Sequence, residues 1–168
     1  GTNKNRAYTS MRILEPTKTE MRPTFLVGKS DGTILRSADH GATWTRVRSP
    51  DAERRGITDL AYSPKRDEVW AGTDGQGVLR STDRGATWSG ASKGLRAAQP
   101  LAMAPGSGET RLWLGSDTGT FGLKRGLGRI SWNREHGHAA SALVAIPPTT
   151  LHAGTTVGTV VTSSQETS

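Results

Sequence analysis

Short apolar runs of four to six residues recur along the chain, each bounded by glycine, aspartate or proline. Val, Leu, Ile, Trp and Thr dominate these runs. No stretch keeps a helical apolar period for three turns. The pattern therefore predicts strands throughout and no helix.

The runs also repeat at long range. Residues 25–37 read FLVGKSDGTILRS and residues 69–81 read VWAGTDGQGVLRS. Residues 112–124 read LWLGSDTGTFGLK and residues 151–163 read LHAGTTVGTVVTS. The leading glycines, Gly28, Gly72, Gly115 and Gly154, are spaced by 44, 43 and 39 residues. Upstream of each lies an apolar run that stops at Pro16, Pro64, Pro105 or Pro147. A period near 40 marks units that bury their apolar faces only against their neighbours.

The second unit illustrates the elements. Strand A is expected over about Ile57–Ser63, stopped by Pro64, which lacks a ladder donor. Strand B follows at about Glu68–Gly72, a glycine-rich turn at Thr73–Gly77, and strand C at about Val78–Ser81. Strand D is expected around Thr87–Ser89. Four antiparallel strands in about 42 residues, repeated, predict an all-β chain of propeller blades. The blades are expected at 11–50, 56–92, 99–136 and 141–168.

Two units share a further phrase. Residues 37–44 read SADHGATW and residues 81–88 read STDRGATW, both S-x-D-x-G-x-T-W. Its chemistry is that of a tight turn, whose amides need acceptors. Asp39 and Asp83 can accept from nearby amides. Gly41 and Gly85 can take positive φ. Ser37 and Ser81 can bond across the turn, and Thr43 and Thr87 restart a strand. Trp44 and Trp88 are expected to bury a large face between sheets. In the third unit Gly126 stands in place of the aspartate and one residue is inserted before Trp132. Gly128 and Trp132 are retained, so a looser turn is expected. The fourth unit has Ser163 but no tryptophan before Ser168.

The phrase resembles the Asp-box, or BNR repeat, of sialidases, some glycoside hydrolases, sortilin-type receptors and photosystem II stability/assembly factors. The resemblance implies a β-propeller with the box on the C–D hairpin at the blade rim, in a structural role. In repeat length and in its lack of a catalytic set the chain is most similar in style to the photosystem II factors. Four blades would be few for this family. Residues 5–10, NRAYTS, could supply the missing strand of the fourth blade and close a small ring. A fragment of a longer propeller and a ring completed by a partner are the other readings. The start at Gly1-Thr2 fits a processed or incomplete chain.

Composition narrows the function classes. The 168 residues carry 22 Lys and Arg against 15 Asp and Glu, a net charge of +7, and no cysteine. Disulfides and thiolate metal sites are thereby excluded. The charge favours anionic partners, either acidic protein subunits or an anionic membrane surface. It is dispersed rather than gathered in a block, which argues against nucleic acid. Arg36 and Arg80 occupy the same place in successive units, and Arg54 and Arg55 add a local basic patch. These four are the candidate interaction residues.

A catalytic set is not visible. A sialidase-type site needs an arginine cluster, a Tyr–Glu pair and an acid. Tyr8 and Tyr62 lack an acidic partner in sequence, and Arg12 stands alone. Asp59 and Asp117 are the best carboxylates for an inverting hydrolase. His136 and His138 form an H-G-H triplet with Glu135 beside them, a solvated loop rather than a metal site. No cofactor, metal or small-molecule substrate is expected. The reading is a non-enzymatic scaffold or binding propeller, an accessory subunit of a larger complex, membrane-bound or photosynthetic. It is expected in a periplasmic or lumenal compartment, soluble or peripheral to a membrane. The alternative is a fragment of a carbohydrate-active propeller, or a carbohydrate-binding module. That alternative requires Trp113, Tyr62 and Asp59 to converge at one mouth of the channel.

Overall fold

The computed structural model describes residues 7–47, 55–95, 98–106, 110–125, 130–146, 150–155 and 160–164. Among these it contains fifteen strands and no helix. They form four antiparallel sheets, each a simple meander, as in the blades of a β-propeller. The first sheet joins β1 (Tyr8–Leu14), β2 (Thr24–Lys29), β3 (Ile34–Ser37) and β4 (Thr45–Val47). The second joins β5 (Ile57–Ser63), β6 (Glu68–Thr73), β7 (Gly77–Ser81) and β8 (Ser89–Gly90). The third joins β9 (Pro100–Pro105), β10 (Thr110–Ser116), β11 (Thr120–Arg125) and β12 (Ile130–His136). The fourth holds three strands among the described residues, β13 (Ala140–Ile146), β14 (Thr150–Thr155) and β15 (Val160–Ser164). Of residues 5–10, expected as a candidate strand for the last blade, residues 5 and 6 lie outside the described residues, as do residues 165–168. Tyr8, Thr9 and Ser10 belong to β1, where Tyr8 pairs with Lys29 and Ser10 with Gly28.

The chain divides into two compact units, residues 1–91 and 92–168. In the first, one core joins the first two sheets. Leu14, Leu26, Ile34 and Val47 meet Leu60, Tyr62, Val69, Ala71, Leu79 and Trp88. In the second unit Trp113 and Ala104 of the third sheet meet Leu151, Leu143 and Ala145 of the fourth. The leading glycines explain the close approach. A side chain at Gly28 would collide with Ile57 of the next sheet, and one at Gly115 with the carbonyl of Ala140.

Burial along the second strand of each sheet separates the sheets into two kinds. In β6 every position from Glu68 to Thr73 is buried. In β10 all positions but Arg111 are buried. In β2 buried and half-buried positions alternate from Thr24 to Lys29. In β14 Leu151 and Ala153 are buried while His152 is half-buried. Within the first unit β2 thus leaves one face half-open where β6 does not, and within the second unit β14 differs from β10 in the same way. No helix among the described residues is long and apolar enough to cross a membrane.

Candidate functional site

The two repeated phrases fold alike. His40 and Gly41 have φ of 60° and 86°, and Arg84 and Gly85 have 56° and 82°. Two successive positive φ values define a turn that matches the twist of the flanking strands. Its own backbone bonds are Ala42 N–H to Asp39 O and Ala86 N–H to Asp83 O, at 3.3 and 3.2 Å. The serines fill the inside of the turn. Ser37 Oγ donates to Asp39 Oδ1 at 2.7 Å and accepts from Gly41 N–H at 2.8 Å. Ser81 repeats this with Asp83 and Gly85 at the same distances. The carboxylates then hold the exit strand. Asp39 Oδ1 accepts from Thr43 N–H at 2.9 Å, and Oδ2 accepts from the Thr43 hydroxyl. Asp83 holds Thr87 through the same two contacts.

These donors stabilise the ionised carboxylates. The Thr43 hydroxyl, its amide and Ser37 hold Asp39 down at about 2, against an ordinary value of 3.8. Burial raises the Asp83 carboxyl, but the Thr87 hydroxyl, its amide and Ser81 together outweigh it and leave the pKa lowered. The contribution of the Asp39 turn to stability is therefore present above pH 3.8 and lost as pH falls towards 2. A carboxyl-carbon NMR titration should place the Asp39 midpoint near 2, and Thr43→Val should move it up. A midpoint at the ordinary value would refute the role of these bonds.

The two glycines are not equivalent despite similar φ. A Cβ on Gly85 would lie 2.7 Å from Leu26 Cδ2, whereas one on Gly41 meets nothing nearer than 3.7 Å. Gly41→Ala should cost about 1–2 kcal/mol from backbone conformation alone. Gly85→Ala should cost a further 1–3 kcal/mol, roughly, from overpacking. Chemical denaturation of the two variants checks the order.

The tryptophans differ as well. Trp88 is 4% exposed and donates its indole N–H to Gly85 O at 3.1 Å. Trp44, expected to be buried, is 42% exposed. The second sheet has the first packed against its Trp88 face, and no sheet of the first unit packs against Trp44. Trp132, in β12, is buried. Gly126 and Gly128 lie outside the described residues.

The basic candidates are engaged inside the first unit. Arg36 donates to Arg84 O at 3.0 Å and pairs with Glu20 at 3.5 Å. Arg80 pairs with Glu68 and stacks over Trp70 at 5.5 Å. Arg55 donates to Gly75 O at 3.1 Å. Arg54 lies outside the described residues. One well-connected cation was not singled out in the sequence, Arg84. It reaches Glu20 and Asp67, each at 2.7 Å, and Glu15 O at 2.7 Å. Its signal was slight: it replaces His40 at the variable position of the second turn.

The residues that catalysis would need are placed as follows. Asp59 Oδ1 accepts from Ser10 at 2.9 Å, from Leu60 N–H at 2.8 Å and from Arg12 at 3.3 Å. Arg12 and Asp59 thus come together, because β1 and β5 are neighbours. Tyr62 is buried and donates to Asp67 at 3.0 Å. In the second unit Asp117 accepts from Gln99 N–H at 2.8 Å, and Trp113 is buried. Glu135 pairs with Lys124 at 2.8 Å. Among the described residues no three or more His, Asp or Glu gather as a metal site, His136 and His138 included.

An apolar groove of about 630 Å³ does open on the first sheet. Tyr8, Met11, Val27, Leu35 and Trp44 line most of it. Sequence reasoning missed it, since its residues read as core.

No protein-family profile and no curated protein matches the sequence. Solved structures do resemble the fold. YCF48 from Cyanidioschyzon merolae superposes with a TM-score of 0.61 at 16% identity, over 100% of this chain and 59% of that one. Chaetomium thermophilum Sqt1, bound to the N-terminus of the ribosomal protein L10, gives 0.64 at 16% identity, over 96% and 47%. The GH74 xyloglucanase from Xanthomonas campestris gives 0.61 at 22% identity, over 79% and 25%. The chain therefore has a propeller-type fold and spans between a quarter and three fifths of these three proteins.

Proposed function

We propose that this chain is a non-enzymatic Asp-box propeller, an accessory or assembly subunit that docks on a larger protein complex. The observation that carries the reading is the state of the residues a carbohydrate site would use. Tyr62 and Trp113 are buried and offer no stacking platform. Asp59 is tied to Ser10, Arg12 and its own strand, and Asp117 caps a loop amide. Glycoside hydrolysis of this class uses a pair of free carboxyl groups flanking the bond, and Asp59 and Asp117 are instead held in local hydrogen bonds. The duplicated turn, with its Ser–Asp–Thr bonding, supports placing the chain among Asp-box proteins such as the photosystem II assembly factors. A propeller of this fold type that holds a protein N-terminus, Sqt1, supports protein as the ligand class by analogy.

The net charge of +7 then selects the partner. Acidic subunits, or the head groups around a membrane or photosynthetic complex, would be drawn to it at low ionic strength. The compartment in this reading is periplasmic or lumenal, with the chain soluble or peripheral to the membrane.

Affinity capture of the tagged chain from a native extract, at low and high salt, tests the proposal. The expected result is a stoichiometric acidic partner retained at low salt and released at high salt. Recovery with no other protein under both conditions would overturn it, as would hydrolysis of a β-glucan panel.

A further inference from the structure

The connection between the first two strands of a sheet is short in three sheets and long in one. It takes residues 64–67 between β5 and β6, 106–109 between β9 and β10, and 147–149 between β13 and β14. Between β1 and β2 it takes residues 15–23. The first sheet thus carries an insertion that the repeat does not require. In repeat folds such insertions commonly form the binding face.

This insertion is braced rather than loose. Thr17 N–H donates to Glu20 O at 2.8 Å, and Glu20 N–H donates to Thr17 Oγ1 at 3.0 Å, which closes a turn. The Glu20 carboxylate accepts from the Thr24 hydroxyl at 3.1 Å and from Arg84 at 2.7 Å. Arg84 also donates to the Glu15 carbonyl at 2.7 Å. The brace therefore comes from the second sheet, through a side chain that the repeat does not specify.

The brace decides what faces solvent. Lys18, Met21 and Arg22 are exposed, and Met21, at 83%, is the most exposed large hydrophobic side chain among the described residues. Neither Lys18 nor Arg22 meets an acid among the described residues. Glu20 is already paired with Arg84 and Arg36, so Glu15 is the one acid of the loop left to oppose them.

We propose that residues 15–23 form the docking element of this chain and take an acidic, extended segment of a partner protein, an inference that rests on the docking role given above. Carboxylates of the segment meet Lys18 and Arg22, and an apolar side chain between them covers Met21, whose flexible thioether adapts to varied shapes. Two cations are too few for an anionic membrane surface, which needs a denser basic cluster. Glu20 and Arg84 are positioning residues: they hold the loop in one conformation and so lower the ordering cost of association.

Titration of the isotope-labelled chain with a glutamate-rich peptide containing one leucine, at low ionic strength, provides the test. Amide NMR shifts should concentrate on residues 17–22. By fluorescence anisotropy, Met21→Asp, Lys18→Glu and Arg22→Glu should each raise the Kd by roughly tenfold. Arg46→Glu, at an exposed cation of β4, should leave it unchanged. Glu20→Ala should raise it by roughly two- to tenfold and speed tryptic cleavage after Lys18 in the free chain. Shifts as strong around Arg46 and Lys93 as in the loop would overturn the proposal. So would an absence of binding, or loop shifts produced by phosphatidylserine vesicles and not by the peptide. In capture from a native extract, a partner held equally by the unaltered chain and by Met21→Asp would overturn this placement and leave the docking role intact. A peptide that binds the loop while the extract yields no partner would support the site and count against the docking role.

Discussion

Trp88→Ala should destabilise the first unit by about 3–5 kcal/mol, while Trp44→Ala should cost under about 1 kcal/mol, although both residues end the same turn. The difference comes from surroundings, not from the phrase. Trp88 fills the core between two sheets, and its removal takes away apolar contacts on both sides and leaves a void. It also strands the Gly85 carbonyl that accepts the indole N–H. Trp44 already faces solvent over 42% of its surface, so its loss opens no enclosed cavity. Urea denaturation would measure both variants. Equal costs would show that the turn itself, and not the sheet packed against it, sets the contribution of the tryptophan.

That contrast marks how far the sequence was legible. Strand positions followed from local chemistry. Strand A of the second unit spans Ile57–Ser63 as its apolar run and Pro64 require, and strand B extends one residue past Gly72 to Thr73. Strand D starts later than the apolar pattern predicts, at Ser89 rather than Thr87. The reason is that Asp83 holds both the amide and the hydroxyl of Thr87 and keeps that residue in the turn. Such a bond spans four residues and could be inferred from spacing. The exposure of Trp44 could not, because a repeat gives equivalent residues equal sequence whether or not a neighbouring sheet is there to cover them.

The polar groups follow the same rule. Asp59 and Arg12 were each distinctive in sequence, but their meeting depends on β5 lying beside β1, 47 residues apart. Arg36 and Arg80 share a repeat position, yet each meets an acid from a different place: Arg80 takes Glu68 from the adjacent strand, and Arg36 takes Glu20 from the loop before β2. A repeat fixes where a side chain starts, while its partner depends on loop residues that the repeat does not control.

Arg84→Ala should destabilise the first unit by about 2–3 kcal/mol, below the 3–5 kcal/mol typical of a broken buried pair. The guanidinium is only 6% exposed and satisfies three separate acceptors, Glu20, Asp67 and the Glu15 carbonyl. Glu20 and Asp67 are 39% and 41% exposed, so water can take over those two charges when the arginine is gone. The carbonyl and the space beside Leu14 carry the rest of the cost. Arg84→Lys should recover little, since one ammonium cannot span a fork of acceptors. Tyr62 provides a readout of the network that a mere packing role would not move. Burial pushes its phenol pKa up, Asp67 pushes it further, and Arg84 pulls it down. Because the folded value is raised above 10.0, the stability tied to neutral Tyr62 is full below that pH and is lost as pH rises through the folded value. In a tyrosine NMR titration, Asp67→Asn should lower the Tyr62 midpoint and Arg84→Ala should raise it. If both variants left the midpoint in place, Arg84 would be acting through packing alone, and the ion-pair account of its cost would fail.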